Sequence, residues 1–497
     1  MNSSELWPDF EEAWSRVRRM QAKLHWWATR DPGRVFDDLH NLVHDPAFLV
    51  HAWERVHGNK GGNTAGVDGV VPRSIPKDSI VLLMRLRTDL KDRVFRPDRV
   101  REKVIPKPGS PVKKRRLGIP TTADRIVQAS LKLVLEPIFE ADFQPGSYGF
   151  RPRRRAQDAI AEIHHFSSRG YVWVLEADIE ACFDRIDHTA LLGRIRHRVS
   201  DRRVLALVKA FLKAGILGED GIDRETHTGT PQGGILSPLL ANIALSVLDD
   251  HYQHKWDAVV AGRKDASARR RRLRRAGGAN YRLVRYADDF VVLVDGTQQH
   301  AEHARDEVAE VLAPMGLVLS EAKTSVVHVD YGFDFLGWRI QRRRKAGSNR
   351  MMIYTYPSKK SLASILGKVR LITRRSTPYV SLEQLLKHLN RVVRGWCFYF
   401  RHGVSARTFA YLGNYVWHRV FRWLQARHSR LGKRKVLRRY QTDGNLEEKG
   451  TALYNPQQIT IERYRYRGYA IPTPWSARAH ILEQQTTSTT FTESRMR

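Results

Sequence analysis

The stretch Tyr281-Arg-Leu-Val-Arg-Tyr-Ala-Asp-Asp-Phe-Val-Val-Leu-Val294 decides the fold. Two β-rich apolar runs flank Asp288 and Asp289, a strand-turn-strand pattern with the acids at its tip. A second stretch, Tyr171-Val-Trp-Val-Leu-Glu-Ala-Asp-Ile179, reads as a mostly buried strand ending in Asp178, with a helical run and Phe183 after it. Taken singly, each has an ordinary explanation. Asp-Asp is a common turn pair, and an Asp at a strand end often caps the next helix. Together they say more, because a turn needs no apolar strands of this strength on both sides. Carboxylates brought to one point repel unless a hard cation neutralises them, and oxygen-only ligands suit Mg²⁺. Two such ions, roughly 3.5–4 Å apart, would stabilise the attacking and leaving oxygens of an in-line phosphoryl transfer.

Charge points to the partner. Lys and Arg total 85 against 52 Asp and Glu in 497 residues, a net +33. Such an excess opposes compaction and is usually kept for an anionic partner, above all nucleic acid. An anionic membrane surface is the competing reading, but it normally comes with a lipid anchor or an amphipathic basic helix. The charge is concentrated: between Lys359 and Tyr440 stand 20 Lys or Arg and one acid, Glu383. Within that segment Leu382, Leu385, Leu386, Leu389, Val392, Val393 and Trp396 share one helical face, with Ser381 and Gln384 as a capping box before it. Phe409, Leu412, Val416, Val420, Trp423 and Leu424 mark a second helix. A solvated surface would mix both signs; this one does not, so it reads as a nucleic-acid face. Gly262–Asn280, rich in Arg, reads as a surface insertion, flexible until it meets a phosphate backbone, and Arg342–Lys345 as a hairpin tip; either serves equally well as a solubility loop. From about Gln484 the chain reads as disordered.

Only Cys182 and Cys397 are cysteines, which excludes a disulfide framework and a four-cysteine zinc site. No signal peptide or bilayer-length apolar run is seen, so a cytoplasmic protein is expected.

Several motifs occur in one order. Asp178-Ile-Glu-Ala-Cys-Phe183 resembles the first palm motif of reverse transcriptases, and Tyr286-Ala-Asp-Asp289 their signature box. Thr230-Pro-Gln-Gly-Gly-Ile-Leu-Ser-Pro-Leu-Leu-Ala-Asn242 is similar to the motif beneath the templating pair. Ile105-Pro-Lys-Pro-Gly and Arg115-Arg-Leu-Gly-Ile-Pro-Thr-Thr-Ala-Asp-Arg125 resemble the fingers segment. Gly316-Leu with Ser320–Lys323 resembles the next palm motif, and Phe335-Leu-Gly-Trp338 the primer-grip hairpin. Thr64-Ala-Gly-Val-Asp-Gly69 and Arg394-Gly-Trp-Cys-Phe-Tyr-Phe400 resemble segments of bacterial group II intron-encoded reverse transcriptase/maturases.

The resemblance implies roles. Asp178, Asp288 and Asp289 would hold two Mg²⁺ ions, with the Ile179 carbonyl as a further ligand. Phe183 would select deoxynucleotides by clashing with a 2′-hydroxyl; as a plain residue pattern it reads equally as a core aromatic. Gln232 and Gly233 would contact the incoming dNTP, and Lys107, Arg115 and Arg125 its triphosphate. Lys323 reads as a general acid for pyrophosphate or as a surface lysine. Arg116 stands where the family usually has Pro, so the choice between Arg115 and Arg116 stays open. On the basic helices Arg391, Arg394, Arg401, Arg419 and Arg422 would bind RNA. Many relatives end in a zinc-bearing endonuclease; after Leu431 this chain has no cysteine and only His480, so cleavage of target DNA in cis is not expected.

The implied fold is α+β, a right-hand polymerase: fingers and a palm with an antiparallel sheet, then an α-helical thumb or maturase domain. Residues 1–60 would form an N-terminal helical extension, 61–345 fingers and palm, 355–440 the thumb, and 441–497 a basic, possible DNA-binding segment with its tail. The implied function is RNA-directed DNA synthesis on group II intron RNA with help to its splicing. Target DNA would be a further partner, in the bacterial cytosol and associated with the nucleoid. A non-catalytic splicing cofactor and a related enzyme recruited to antiviral defence are the alternatives.

Overall fold

The computed structural model describes residues 7–476 other than 108–109, 261–264, 375–379 and 443. The expected disordered tail lies outside them, as do Arg263 and Lys264 of the basic insertion. Helices and largely antiparallel sheets share the chain, an α+β arrangement. It divides into two compact units: residues up to 155, 175–326 and from 467 onward in the first, 156–174 and 327–466 in the second.

In the first unit the helix Thr122–Glu140 is central. Sixteen of its 19 residues are buried, so no face is left for water. Pro137 inside it has no N–H to give the Leu133 carbonyl. Gln21, on the helix Phe10–Arg30, supplies the missing donor from Nε2 at 2.7 Å. One turn on, His25 Nδ1 meets the Pro137 carbonyl at 2.9 Å. Residues from far along the chain close over these two side chains. Trp475 donates from Nε1 to Gln21 Oε1 at 3.2 Å, and Thr473 Oγ1 lies 3.0 Å from His25 Nε2.

The sheet that carries the acids runs in the order Asn280–Tyr286, Asp289–Asp295, Trp173–Ala177, Ser325–His328. Tyr286 pairs with Asp289 and Asn280 with Asp295, which leaves only Ala287 and Asp288 in the connection. Six of the seven residues of Asp289–Asp295 are buried, so both faces of that strand are covered. The helices Ser237–Val260 and Gln298–Leu312 back it. A separate hairpin pairs Val100–Lys107 with Ser110–Ile119 in antiparallel register.

The second unit holds the basic helices Lys359–Ile372, Leu382–Phe400, Ala406–Arg427 and Lys433–Tyr440. Ser381 and Gln384 form the capping box in both directions. Leu382, Leu385, Leu386, Leu389 and Val393 are buried, as are all six residues of the second expected stripe. Two readings need correction. Arg342–Arg344 belong to the strand Trp338–Arg344, and the connection begins only at Lys345. The strand persists because Ile340 is buried and the Arg342 guanidinium is held by Asp330, Nη2 to Oδ2 at 2.8 Å. The described part of the Arg-rich insertion is a helix, Ala266–Arg275, rather than an open loop.

The start of the central helix carries a buried acid. Thr121 donates its hydroxyl to Asp124 Oδ2 at 2.7 Å, yet burial pushes the Asp124 carboxyl up to about 7. A carboxyl whose folded pKa is raised above its ordinary value of 3.8 supports the fold fully at pH below that value and loses this support progressively as pH rises to about 7. Asp124→Asn should therefore gain on the parent in urea unfolding as pH rises from 5 to 8, because the parent's support is only partly lost at pH 5 and wholly lost at pH 8; a margin that fails to grow would refute this assignment.

Candidate active site

Asp178 follows the strand Trp173–Ala177, and Asp288 and Asp289 form the tip of the hairpin beside it. Asp178 bears on both of the others. Burial raises the Asp288 pKa and Asp178 adds to the rise, while Arg115 and Arg285 oppose it. Withdrawal from water, then Asp288 and Asp178, pushes Asp289 up to about 6 against Lys323 and Arg115. Lys323 Nζ forms an ion pair with Asp178 Oδ2. Among the described residues no group of three or more His, Cys, Asp or Glu side chains is set as a ready metal cage. Ammonium and guanidinium groups balance the acids instead. Nearby Cys182 is no nucleophile, since burial pushes its thiol up to about 12 and Asp288 adds to it.

Arg285 fixes the turn, and sequence reasoning missed it. Its side chain is wholly buried, with Nε to Asp249 Oδ1 at 2.9 Å, Nη1 to Asn242 Oδ1 at 3.0 Å and Nη2 to Ser147 Oγ at 2.7 Å. Nη1 also donates to the Ala287 carbonyl at 2.9 Å, and Ala287 sits at φ +59°. The guanidinium thus pins a left-handed residue immediately before Asp288. Gly149 must lack a side chain here, because a Cβ would overlap the Ala287 amide. The available signal was an arginine within a largely buried strand, two residues before the Ala287–Asp288 turn. Phe150 was missed too: it is exposed at φ +56° and meets Phe183 edge to face, 6.5 Å between centroids.

The remaining predicted residues divide. Around Ile179 the ladder bonds run from Glu180 N to Val318 O and from Ser320 N to Asp178 O, so the Ile179 carbonyl is neither acceptor. Phe183 is half-buried, and its carbonyl accepts from Thr230 N at 2.6 Å. Gln232 gives its carbonyl to Gly118 N at 2.7 Å, docking its loop on the 110–119 strand. Gly233, exposed at φ +119°, has Gly118 O 2.8 Å from where a Cβ would stand. Arg115 bears on Asp288 and Asp289, whereas Arg116 Nε turns to Glu102 at 3.5 Å. Strand alternation separates the two and favours Arg115. Arg125 is buried and spends its donors on the carbonyls of Pro120, Gly61 and Thr64 at 2.8–3.0 Å. It therefore anchors the 61–64 segment rather than facing an open cleft. The Lys107 side chain lies outside what is described.

Of the five arginines expected to bind RNA, Arg391, Arg394 and Arg422 are exposed. Arg401 instead pairs with Glu462 at 2.9 Å, and Arg419 clamps Thr373, Nε to Oγ1 and Nη2 to the carbonyl, both at 3.0 Å.

Comparison with known proteins agrees with this geometry. Residues 105–340 match the family model described as reverse transcriptase (RNA-dependent DNA polymerase), and 362–441 that of the group II intron maturase-specific domain. The chain is 36% identical over 377 residues to Protein YkfC of Escherichia coli, covering 71% of this chain and 98% of that protein. It is 33% identical over 350 residues to the group II intron-encoded protein LtrA of Lactococcus lactis, 62% of this chain but only 57% of LtrA's length. A plant relative, nuclear intron maturase 1 of Arabidopsis thaliana, is 24% identical over 347 residues, 55% of this chain and 47% of its own.

Removing Arg285 would strand a buried Asp249 carboxylate, a change that costs about 3–5 kcal/mol. Arg285→Met should lower the unfolding midpoint accordingly. Arg285→Lys, which keeps the charge but not the forked donors, should fold and yet lose most polymerase activity; full activity in the lysine variant would remove Arg285 from the support of the turn.

Proposed function

The chain belongs to the reverse transcriptase family with a group II intron maturase domain, and we propose that it binds an intron RNA, assists its splicing and copies it into DNA. It is an RNA-dependent DNA polymerase by family. The observation that carries the fuller reading is the meeting of Asp178 with Asp288 and Asp289, whose pKa values the Asp178 carboxylate helps to raise although more than 100 residues separate it from them in the chain.

The donor set fits Mg²⁺: three carboxylates and the backbone carbonyl of Ile179, all hard oxygen ligands. Bound there, two ions would activate a primer 3′-hydroxyl and stabilise the charge on the leaving pyrophosphate. The chain's own groups do the rest. Arg115 lies where it can take the charge of a dNTP triphosphate, with Lys107 on the paired strand as its companion. Lys323 holds Asp178 by its ammonium and can supply a proton to pyrophosphate from Nζ. Phe183, braced by Phe150, limits room at the sugar, and the Gln232–Gly233 loop supports the incoming nucleotide. Arg125 acts at one remove, by positioning.

In this reading residues 1–60 extend a fingers and palm region of 61–345, and the helices of 355–440 are the thumb, with 441–497 a further basic segment able to meet target DNA. Arg391, Arg394 and Arg422 supply RNA contacts, while Arg401 and Arg419 hold the helices that present them. No helix among the described residues is long and apolar enough to cross a membrane. With nucleic acid as the partner we assign the working place as the bacterial cytosol, on the nucleoid.

Primer extension on an RNA template with dNTPs and Mg²⁺ tests the polymerase. The parent should extend and Asp289→Ala should not; a parent that binds RNA but never extends would leave a splicing cofactor. Replacing Arg391, Arg394 and Arg422 with Ala should reduce the slope of log affinity against log salt by about 2–3. Arg419→Ala should instead lower thermal stability.

A further inference from the structure

The helix Ala266–Arg275 holds six arginines in ten residues and no acid. Like charges at helical spacing repel, and a helix this short is marginal by itself. Something must hold it, and only part of its charge is spent on that. Arg274 Nη1 pairs with Asp295 Oδ1 at 2.7 Å, Arg270 lies over the Trp256 ring at 5.1 Å, and Gly278 closes against Leu273. Asn280 Nδ2 donates to the Arg270 carbonyl at 3.3 Å.

At 100° per residue, Leu273, Arg270 and Arg274 fall on one side of the wheel. Arg271, Arg275 and Arg272 fall within an arc of about 100° on the other. All three are exposed, and none forms an ion pair within the described residues. The helix is therefore fastened by one set of arginines and offers a second, coherent set to solvent. Neighbours at this spacing stand about 5–6 Å apart at Cβ, a ridge of fixed guanidinium forks suited to consecutive phosphates.

Its place argues against a part in the chemistry. The helix enters the sheet at Asn280, which pairs with Asp295, while the acids lie at the other end, where Tyr286 pairs with Asp289. The strand between spans about 20 Å at about 3.3 Å per residue.

We propose that Arg271, Arg272 and Arg275 form a phosphate-binding ridge that grips the backbone of a folded RNA away from the site of nucleotide addition. The proposal rests on the RNA-binding reading but adds to the basic helices of the second unit a contact carried by the first.

The test uses the full chain with Arg271→Ser, Arg272→Ser and Arg275→Ser combined, leaving Arg270 and Arg274 in place. Its affinity for a folded transcript of several hundred nucleotides is titrated at several salt concentrations. Extension of an oligo(dT) primer on poly(rA) is measured alongside, and circular dichroism confirms folding. The expected result is at least tenfold weaker binding at about 0.1 M salt and a log–log slope shallower by about 2–3, with extension unchanged. An unchanged slope would overturn the proposal. So would an equal loss on the short substrate, which would assign the ridge to the polymerase cleft. Binding is read without synthesis, so a parent inactive in extension would fail the polymerase reading alone.

Discussion

The Arg285–Asp249 pair is the constraint on which the rest turns. A buried charge is costly unless its partner and its remaining donors are satisfied, and here every arm of the guanidinium is committed. Asn242 and Asp249 come from one helix, Ser147 from the loop after the central helix, and Ala287 from the turn itself. Three separate parts of the first unit must arrive correctly for one guanidinium to be content. Once they do, Ala287 is held in a left-handed conformation and Asp288 and Asp289 are aimed. The strain at the turn and the crowding of the acids are thus borne by an interaction beneath them, not by the acids.

The same loop is secured a second time. Arg151 and Glu140, both almost fully buried, meet at 2.8 Å, and Arg151 also donates to the carbonyls of Ser147 and Gln144. This lock sets where Gly149 and Phe150 stand, and therefore how close the backbone comes to Ala287 and which ring braces Phe183. Two buried arginines govern a site whose visible residues are acids.

What was legible in the sequence was whatever has a period or a motif. The apolar strands around Asp288–Asp289 and the stripes Leu382–Val393 and Phe409–Leu424 follow directly from burial on one face or both. What escaped was what depends on three-dimensional partners. Arg125 and Arg419 look like phosphate ligands in a basic chain, yet carbonyl groups brought near by folding take their donors. Arg285 looks like an exposed strand residue, and only the approach of Asp249 makes it a core residue. The Arg-rich insertion read as a flexible surface segment because it interrupts two strongly patterned stretches; its ties to Asp295 and Trp256 in the folded chain hold it as a helix. Alternation along one strand parted Arg115 from Arg116, a choice that motif spacing leaves open.

The gap that Pro137 leaves in its helix has a consequence for how the protein is made. Gln21 fills that gap, but Gln21 and His25 are themselves completed by Trp475 and Thr473. These two side chains therefore wait through some 450 residues of synthesis for the residues that cover them. Until then a nascent chain leaves Gln21 and His25 without those partners. Completion of this layer therefore follows the synthesis of residues 473–475, and a chaperone or the bound RNA has that whole interval in which to act.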